Sequence, residues 1–271
     1  LHDLRVAVRR TRSVLSQGKK VLPPAIVEPT GERFAWLGTL TSPARDLDVY
    51  LIEWDSYTGP LGAGVIAALE PVRDILEQRH RAAHSALAQA LQSAEVAEMM
   101  ITWGTWLHDP SSDDPQGVDA GRPLGKVVAR RIARAQANLV EHGRLIRPDT
   151  PAKQVHDLRK DAKKLRYLVE CFGSLLPRAP RKAFVRRLKA VQDNLGEHQD
   201  AEVHVAQLRV ISGELHQFGA PPATMLAIGQ LIERLEQRRI AARAEFAGRF
   251  AEYDTTSPQR ALDAALEGMV Q

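Results

Sequence analysis

The sequence turns on His156-Asp157-Leu158-Arg159-Lys160-Asp161-Ala162-Lys163-Lys164-Leu165-Arg166, which has a twin at the start of the chain: His2-Asp3-Leu4-Arg5-Val6-Ala7-Val8-Arg9-Arg10-Thr11-Arg12. The two stretches align without a gap at an offset of 154 residues. On a helical wheel His2, Arg5, Arg9 and Arg12 share one side, as do His156, Arg159, Lys163 and Arg166. Leu4, Val8, Thr11 and Leu15 take the opposite side, matched by Leu158, Ala162, Leu165 and Val169. Each copy is therefore predicted to be a helix with an apolar back and a cationic front about 15 Å long. A row of cations this regular, made twice, suits a polyanion.

The totals fit that reading. The chain has 271 residues, 44% of them hydrophobic and 26% charged, which is the composition of a globular protein with a proper core. The net charge of +4 hides its distribution: from His156 to Lys189 there are eleven Lys or Arg against three acids. A strong local field on a modest total points to one anion-binding surface. The single cysteine, Cys171, excludes an internal disulfide and suits a reducing, cytoplasmic setting. Lying in an apolar run, it is expected to pack as an inert thiol. No apolar run reaches the ~18 residues of a membrane span, so a membrane is not expected as a partner.

Helix formers dominate and nothing alternates with period two for long enough to build a sheet, so the fold is read as all-α. Helices are expected over about 1–17, 32–41, from Pro43 through Val49, from about Gly64 to Gln92, and from Ser93 to His108. A Pro23-Pro24 loop runs to Gly31. Ser42 is expected to cap the third helix, with Pro43 in its first turn. After a linker over 109–122, further helices are expected over 123–146, from the Thr150-Pro151 cap to about Leu176, over 181–195, and from Ser257-Pro258 onward.

The order of segments repeats. His198-Gln199-Asp200-Ala201-Glu202-Val203 answers Ala44-Arg45-Asp46-Leu47-Asp48-Val49 at the same offset of 154, and Leu235-Glu236-Gln237-Arg238 answers Leu76-Glu77-Gln78-Arg79. Three matched blocks in one order make an internal duplication. One repeat covers 1–108 and the other 123–271. The helix of 123–146 precedes the second motif, and its counterpart would lie before residue 1. The expectation is that the native first repeat holds one more helix, and that further sequence precedes Leu1.

These motifs resemble the CHAD domain, the conserved histidine α-helical domain. The resemblance rests on His-x-x-Arg-x-x-x-(Arg/Lys)-(Arg/Lys)-x-Arg, Arg45-Asp46-Leu47-Asp48-Val49, and Leu195-Gly196-Glu197-His198-Gln199-Asp200. It extends over essentially the whole chain as one domain. One departure is that Thr41-Ser42 stands where the second repeat has Leu195-Gly196. The resemblance implies two pseudo-symmetric four-helix bundles flanking a basic central groove or pore. It also implies binding of inorganic polyphosphate, with location on polyphosphate granules, and in some members a preceding CYTH-type (triphosphate tunnel) domain.

Polyphosphate offers only a flexible line of anionic oxygens. Guanidinium forks bind these in pairs and lysine supplies an adaptable point charge. Arg5, Arg9, Arg12, Arg159, Lys163 and Arg166 are the expected first contacts, with Arg10 and Lys164 flanking and Lys19 at the helix end. Arg130, Arg134, Arg186, Lys189, Arg79 and Arg238 are placed at the rim. His2 and His156 read better as anion contacts or hydrogen-bonded helix residues than as metal ligands or catalytic bases, and their protonation would strengthen binding. His80 and His84 have the spacing of a helical metal pair, but the repeat puts Arg239 and Arg243 there, which favours solvated or anion-facing roles. Asp46, Asp48, Asp200 and Glu202 could hold Mg²⁺ or Ca²⁺, but are read as acids that orient the motif arginines. The tryptophans Trp36, Trp54, Trp103 and Trp106 are read as packing residues.

The leading function is non-enzymatic polyphosphate binding, with no catalytic residue, metal or cofactor assigned. A metal-dependent phosphohydrolase or triphosphate-processing role is the alternative, and no phosphate-binding glycine loop or nucleophile elbow supports it. Nucleic-acid binding is suggested by a pI near 9.3. Against it stand an aromatic content of 5% and the lack of a helix-turn-helix pattern.

Overall fold

The first motif folds as a helix, α1 (His2–Gly18), and its apolar side buries Val8 and Leu15. The fold is taken from a computed structural model that describes residues 1–109 and 116–269, without the side chains of 256–259 and 261. Among the described residues there is no strand, in agreement with the all-α reading. The remaining helices are α2 (Pro24–Leu40), α3 (Ser42–Thr58), α4 (Ala63–Ala68), α5 (Glu70–Leu91), α6 (Ala94–His108), α7 (Leu124–Arg144), α8 (Ala152–Cys171), α9 (Arg178–Gln217), α10 (Pro222–Tyr253) and α11 (Thr256–Gly268). None is long and apolar enough to cross a membrane.

Several boundaries differ from the sequence expectation, each for a local reason. Helix α2 starts at Pro24 rather than beyond Gly31. A proline in the first turn has no N–H to waste, and the Pro23 carbonyl accepts from the amides of Ile26 and Val27. The helix carries Pro29 within it. Between α4 and α5 the chain breaks at Leu69, two residues before Pro71, instead of running as one helix. Neither expected cap forms. The Ser42 hydroxyl donates to the Gly38 carbonyl, and Thr150 Oγ1 accepts from the Arg147 amide. Ser93 does cap α6, accepting from Val96 N at 3.3 Å. Beyond α8 the chain makes a short 3₁₀ turn, Gly173–Leu175.

Helix α9 is the largest difference. It runs unbroken for 40 residues, through Gly196, where the expected helix covered only 181–195. Its apolar spacing explains the continuity: Phe184, Leu188, Val191 and Leu195 are buried, and then Val205, Leu208, Ile211 and Leu215. At about 1.5 Å per residue, α9 is about 60 Å long and α10 about 48 Å. Such helices serve more than one core. At the C-terminus of α9, Gly219 takes a φ of +71°, and Ala220 N closes the turn onto the Leu215 carbonyl. Only glycine adopts that backbone without strain.

The contacts divide the chain into two compact units that interleave the sequence repeats. One holds residues 1–5, 35–110 and 199–240; the other holds 6–34, 111–198 and 241–271. In the first, Leu47, Tyr50, Trp54 and Tyr57 of α3 pack with Val72 and Leu76 of α5, Leu208 and Ile211 of α9, and Ile228, Leu231 and Leu235 of α10. In the second, α8 contributes Leu158, Ala162, Leu165 and Val169 to a core with Ile132 and Leu139 of α7. Phe184 and Leu188 of α9, Phe246 and Phe250 of α10, and Leu262 and Leu266 of α11 complete it. Gly143 on α7 lets the Phe250 ring approach the backbone, because a Cβ there would collide with it. Of the expected linker 109–122, residues 110–115 lie outside the described residues. The remainder is tied down through Asp119, which is buried and whose amide donates to the Lys20 carbonyl.

Candidate functional site

The apolar backs of α1 and α8 place their cationic fronts where the wheel puts them. Leu158, Ala162, Leu165 and Val169 are at most 1% exposed. On the opposite side of α8, His156, Arg159, Lys163 and Arg166 are half-buried and Lys164 is exposed. On α1, Arg5 and Arg9 are half-buried, while His2, Arg10 and Arg12 are exposed, as is Lys19 just beyond the helix.

Within the second compact unit the two helices are neighbours. The Arg9 guanidinium lies over the Tyr167 ring of α8 at 5.9 Å, a cation–π contact. Arg10 is near enough to Cys171, one turn further, to pull its thiol pKa down, although burial dominates and leaves it raised. Burial thus disfavours the thiolate that a nucleophile needs. The acids of the second motif are drawn to other partners. Asp157 accepts from Lys153 and Lys160, whose hydrogen bonds lower its pKa, and Asp161 accepts from His142 Nδ1 at 2.7 Å.

The motif arginines differ in how they are held. Arg5 Nη1 donates to the Gly38 carbonyl at 3.2 Å, to Thr41 Oγ1 at 2.7 Å and to Ser42 Oγ at 3.2 Å. Arg166 donates from Nε to Glu170 at 2.7 Å and from Nη1 to Gln192 at 3.0 Å. Arg159 Nη2 comes within 3.9 Å of the position a Cβ would take at Gly196.

The rim residues scatter. Arg130 donates to the buried Asp119, which also binds Arg122, so part of its charge is already neutralised. Arg130 also borders a groove between α7 and α11 of about 760 Å³, where Lys126 shares the lining with Asp263 and Glu267. Such mixed charge is poor for a polyanion. Arg134, Arg186 and Lys189 are exposed on α7 and α9. Arg79 is paired with Glu214, and Arg238 sits over the Tyr57 ring at 5.0 Å. Arg131, read as one of the cations of the 123–146 helix but not as a contact, reaches Gln17 with Nη1 at 3.4 Å and ties α7 to α1. The sequence reading missed Tyr167, whose neighbourhood with Arg9 no spacing rule reveals. Of the tryptophans only Trp54 belongs to the buried core; Trp103 and Trp106 stack on each other at 5.3 Å.

His80 and His84, expected in solvated or anion-facing roles, are partly exposed and both turn Nε2 to the Asp48 carboxylate, with Oδ1 at 2.9 and 2.8 Å. Asp48 therefore does not serve to orient a motif arginine by this oxygen. Burial raises its carboxyl pKa, but the hydrogen bonds from His84 and His80 outweigh that and leave it below the usual value. Glu202, its counterpart in the repeat, accepts from Gln199 instead.

An all-helical chain that duplicates a cationic helix with a buried apolar back is a narrow class. The model of the CHAD domain matches residues 1–209, and the chain belongs to that family. Among solved structures, the crystal structure of the CHAD domain from the plant Ricinus communis superposes with a TM-score of 0.72 at 27% identity, covering 92% of this chain and 81% of that one. PptA from Streptomyces chartreusis gives a TM-score of 0.67 at 21% identity, covering 92% and 88%, which supports the fold. No curated protein matches the sequence.

Proposed function

We propose that this protein binds inorganic polyphosphate through the cationic faces of α1 and α8, without catalysing a reaction on it, and that it can thereby be held on polyphosphate granules. The observation that carries the reading is the cationic row made twice, on helices whose opposite sides are committed to packing, with Arg9 set against α8 over Tyr167. Arg9, Arg10, Arg12, Arg159, Lys163 and Lys164 are the principal contacts. Arg5 and Arg166, partly engaged by Thr41 and Glu170, act as fixed members of the rows. A row of like charges repels itself when empty, so ligand should stabilise the fold.

The test is a titration with long-chain polyphosphate, with DNA and RNA as competitors, in the presence and absence of EDTA and over a salt series. Binding should survive EDTA, weaken with salt as a polyanion contact does, and outlast nucleic-acid competition. Reversing Arg9 and Lys163 together to glutamate should lower affinity at least about 100-fold, since charge-assisted hydrogen bonds contribute about 1.5–3 kcal/mol each. Metal-dependent release of phosphate would instead make the protein an enzyme.

A further inference from the structure

Helices α3 and α5 bring together three ligating side chains that the cationic faces do not use. Asp48, His80 and His84 have their ligand atoms within 4.8 Å of one another, all inside one compact unit. We propose that they form a binding site for a divalent first-row transition-metal ion of the zinc class.

Three observations carry this. First, the spacing fits. Ligands about 2.0–2.2 Å from one ion, at angles between square and tetrahedral, stand about 2.8–3.6 Å apart. The histidine nitrogens stand 2.9 and 2.8 Å from Asp48 Oδ1, and all three ligand atoms lie within 4.8 Å of one another, so they converge on one point. Second, the side chains are 17%, 31% and 38% exposed for Asp48, His80 and His84, which leaves an entry path and an open coordination position for water or an anionic oxygen. Third, the fold does not need the cluster. At the corresponding places in the repeat Arg239 pairs with Glu236, and Arg243 donates to the carbonyls of Arg147 and Thr150. The sister helix thus packs without two histidines on a carboxylate.

Two imidazoles and one carboxylate select the metal. Mg²⁺ and Ca²⁺ take oxygen ligands and are poorly served by two nitrogens, whereas Zn²⁺, Co²⁺ and Ni²⁺ suit the set. Binding would use the Nε2 lone pair of each ring, with the ring proton carried on Nδ1.

The experiment uses the full chain, stripped with a chelator and titrated with Co²⁺ and Zn²⁺, with Mg²⁺ as the control. The expected result is one equivalent of Co²⁺ with a visible d–d band, displacement by Zn²⁺, and a rise in melting temperature with Zn²⁺ but not Mg²⁺. The variants His80→Gln and His84→Gln keep a hydrogen-bond donor to Asp48 while removing the good ligand, so circular dichroism should stay unchanged. Each should weaken Co²⁺ binding by at least about 100-fold, beyond the 10–100-fold typical of an outer-shell change. A wild-type chain without the d–d band, or a double variant that binds as tightly as wild type, overturns the site.

Discussion

Arg5 and Arg159 occupy the same place in the two repeats, yet their surroundings differ in kind. Arg5 donates to the hydroxyls of Thr41 and Ser42, at the junction of α2 and α3. Arg159 meets Gly196, the residue that corresponds to Ser42, inside the continuous helix α9. One copy meets the motif arginine with two hydroxyls; the other sets it beside a glycine, which has no side chain to offer it. The difference reaches the helices that carry them. Six residues of α8 are buried, against three in α1. The two copies thus carry the same cationic front on unequal backings.

The widest gap between the copies should appear in their cores. Leu158 is 1% exposed, whereas its counterpart Leu4 is half-buried. Leu158→Ala should destabilise by about 2–5 kcal/mol, as buried leucine truncations do. Leu4→Ala should cost about 1 kcal/mol, in proportion to the smaller area removed from water. Denaturant melts of the two variants measure this directly, and equal losses would contradict the picture of an unequal backing.

A second pair of corresponding positions meets face to face. Tyr50 and His204, again 154 residues apart, stack at 3.9 Å between ring centroids with 10° between planes. His204 is buried and its Nδ1 has no hydrogen-bond partner among the described residues. Burial, and then the charge of Arg238, push its pKa down from 6.5 to about 4. The unfolded chain therefore takes up this proton first. The stability gained by keeping the ring neutral is complete above pH 6.5 and is lost as the pH falls toward 4. At 1.36 kcal/mol per pKa unit the loss is about 3 kcal/mol. His204→Phe keeps the stack and should flatten this part of the stability–pH curve; an unchanged slope would assign the acid sensitivity to other groups.

How much of this was legible follows from the range of the forces involved. The apolar back of α8 is a local, periodic signal, and Leu158, Ala162, Leu165 and Val169 are buried as the wheel requires. The end assigned near Leu195 failed because Gly196 reads as a helix breaker, while the apolar spacing on either side carries the helix through it. Ser42 and Thr150 read as caps, but their hydroxyls found carbonyl and amide partners in the preceding turn. The Asp48–His80–His84 cluster joins residues 32 and 36 positions apart. The repeat argued against it, because the comparison assumed that corresponding residues do corresponding work. The interleaving of the two compact units is likewise a consequence of long helices, which no periodicity announces.

The hydroxyls beside Arg5 are the next point of leverage. Thr41 is fully buried and accepts the shortest of the three hydrogen bonds from Arg5 Nη1. Thr41→Val keeps the shape and removes the acceptor, so a charged donor loses its shortest contact at Nη1. The cost should be about 1–2 kcal/mol, within the range for a hydrogen bond to a charged group. The sister position is Leu195, which packs in the core with no hydroxyl to lose. A neutral Thr41→Val would mean that the Thr41 hydroxyl is not needed to hold Arg5.

The smallest effect tests the other half of the comparison. Gly196 lies within α9, where alanine is favoured over glycine by about 0.5–1 kcal/mol because it restricts the unfolded chain. The added methyl would meet Arg159 Nη2 at 3.9 Å, an ordinary van der Waals contact. Gly196→Ala should therefore stabilise the protein by about that amount, seen as a higher denaturant midpoint at constant slope. Because contact is not collision, polyphosphate affinity should stay within about twofold, or roughly 0.4 kcal/mol. A stabilised variant that binds much more weakly would give the glycine a different role: Arg159 would have to swing across position 196 to engage its ligand. The room beside Arg159 would then belong to the binding cycle, and the hydroxyls beside Arg5 would mark the copy that does not move.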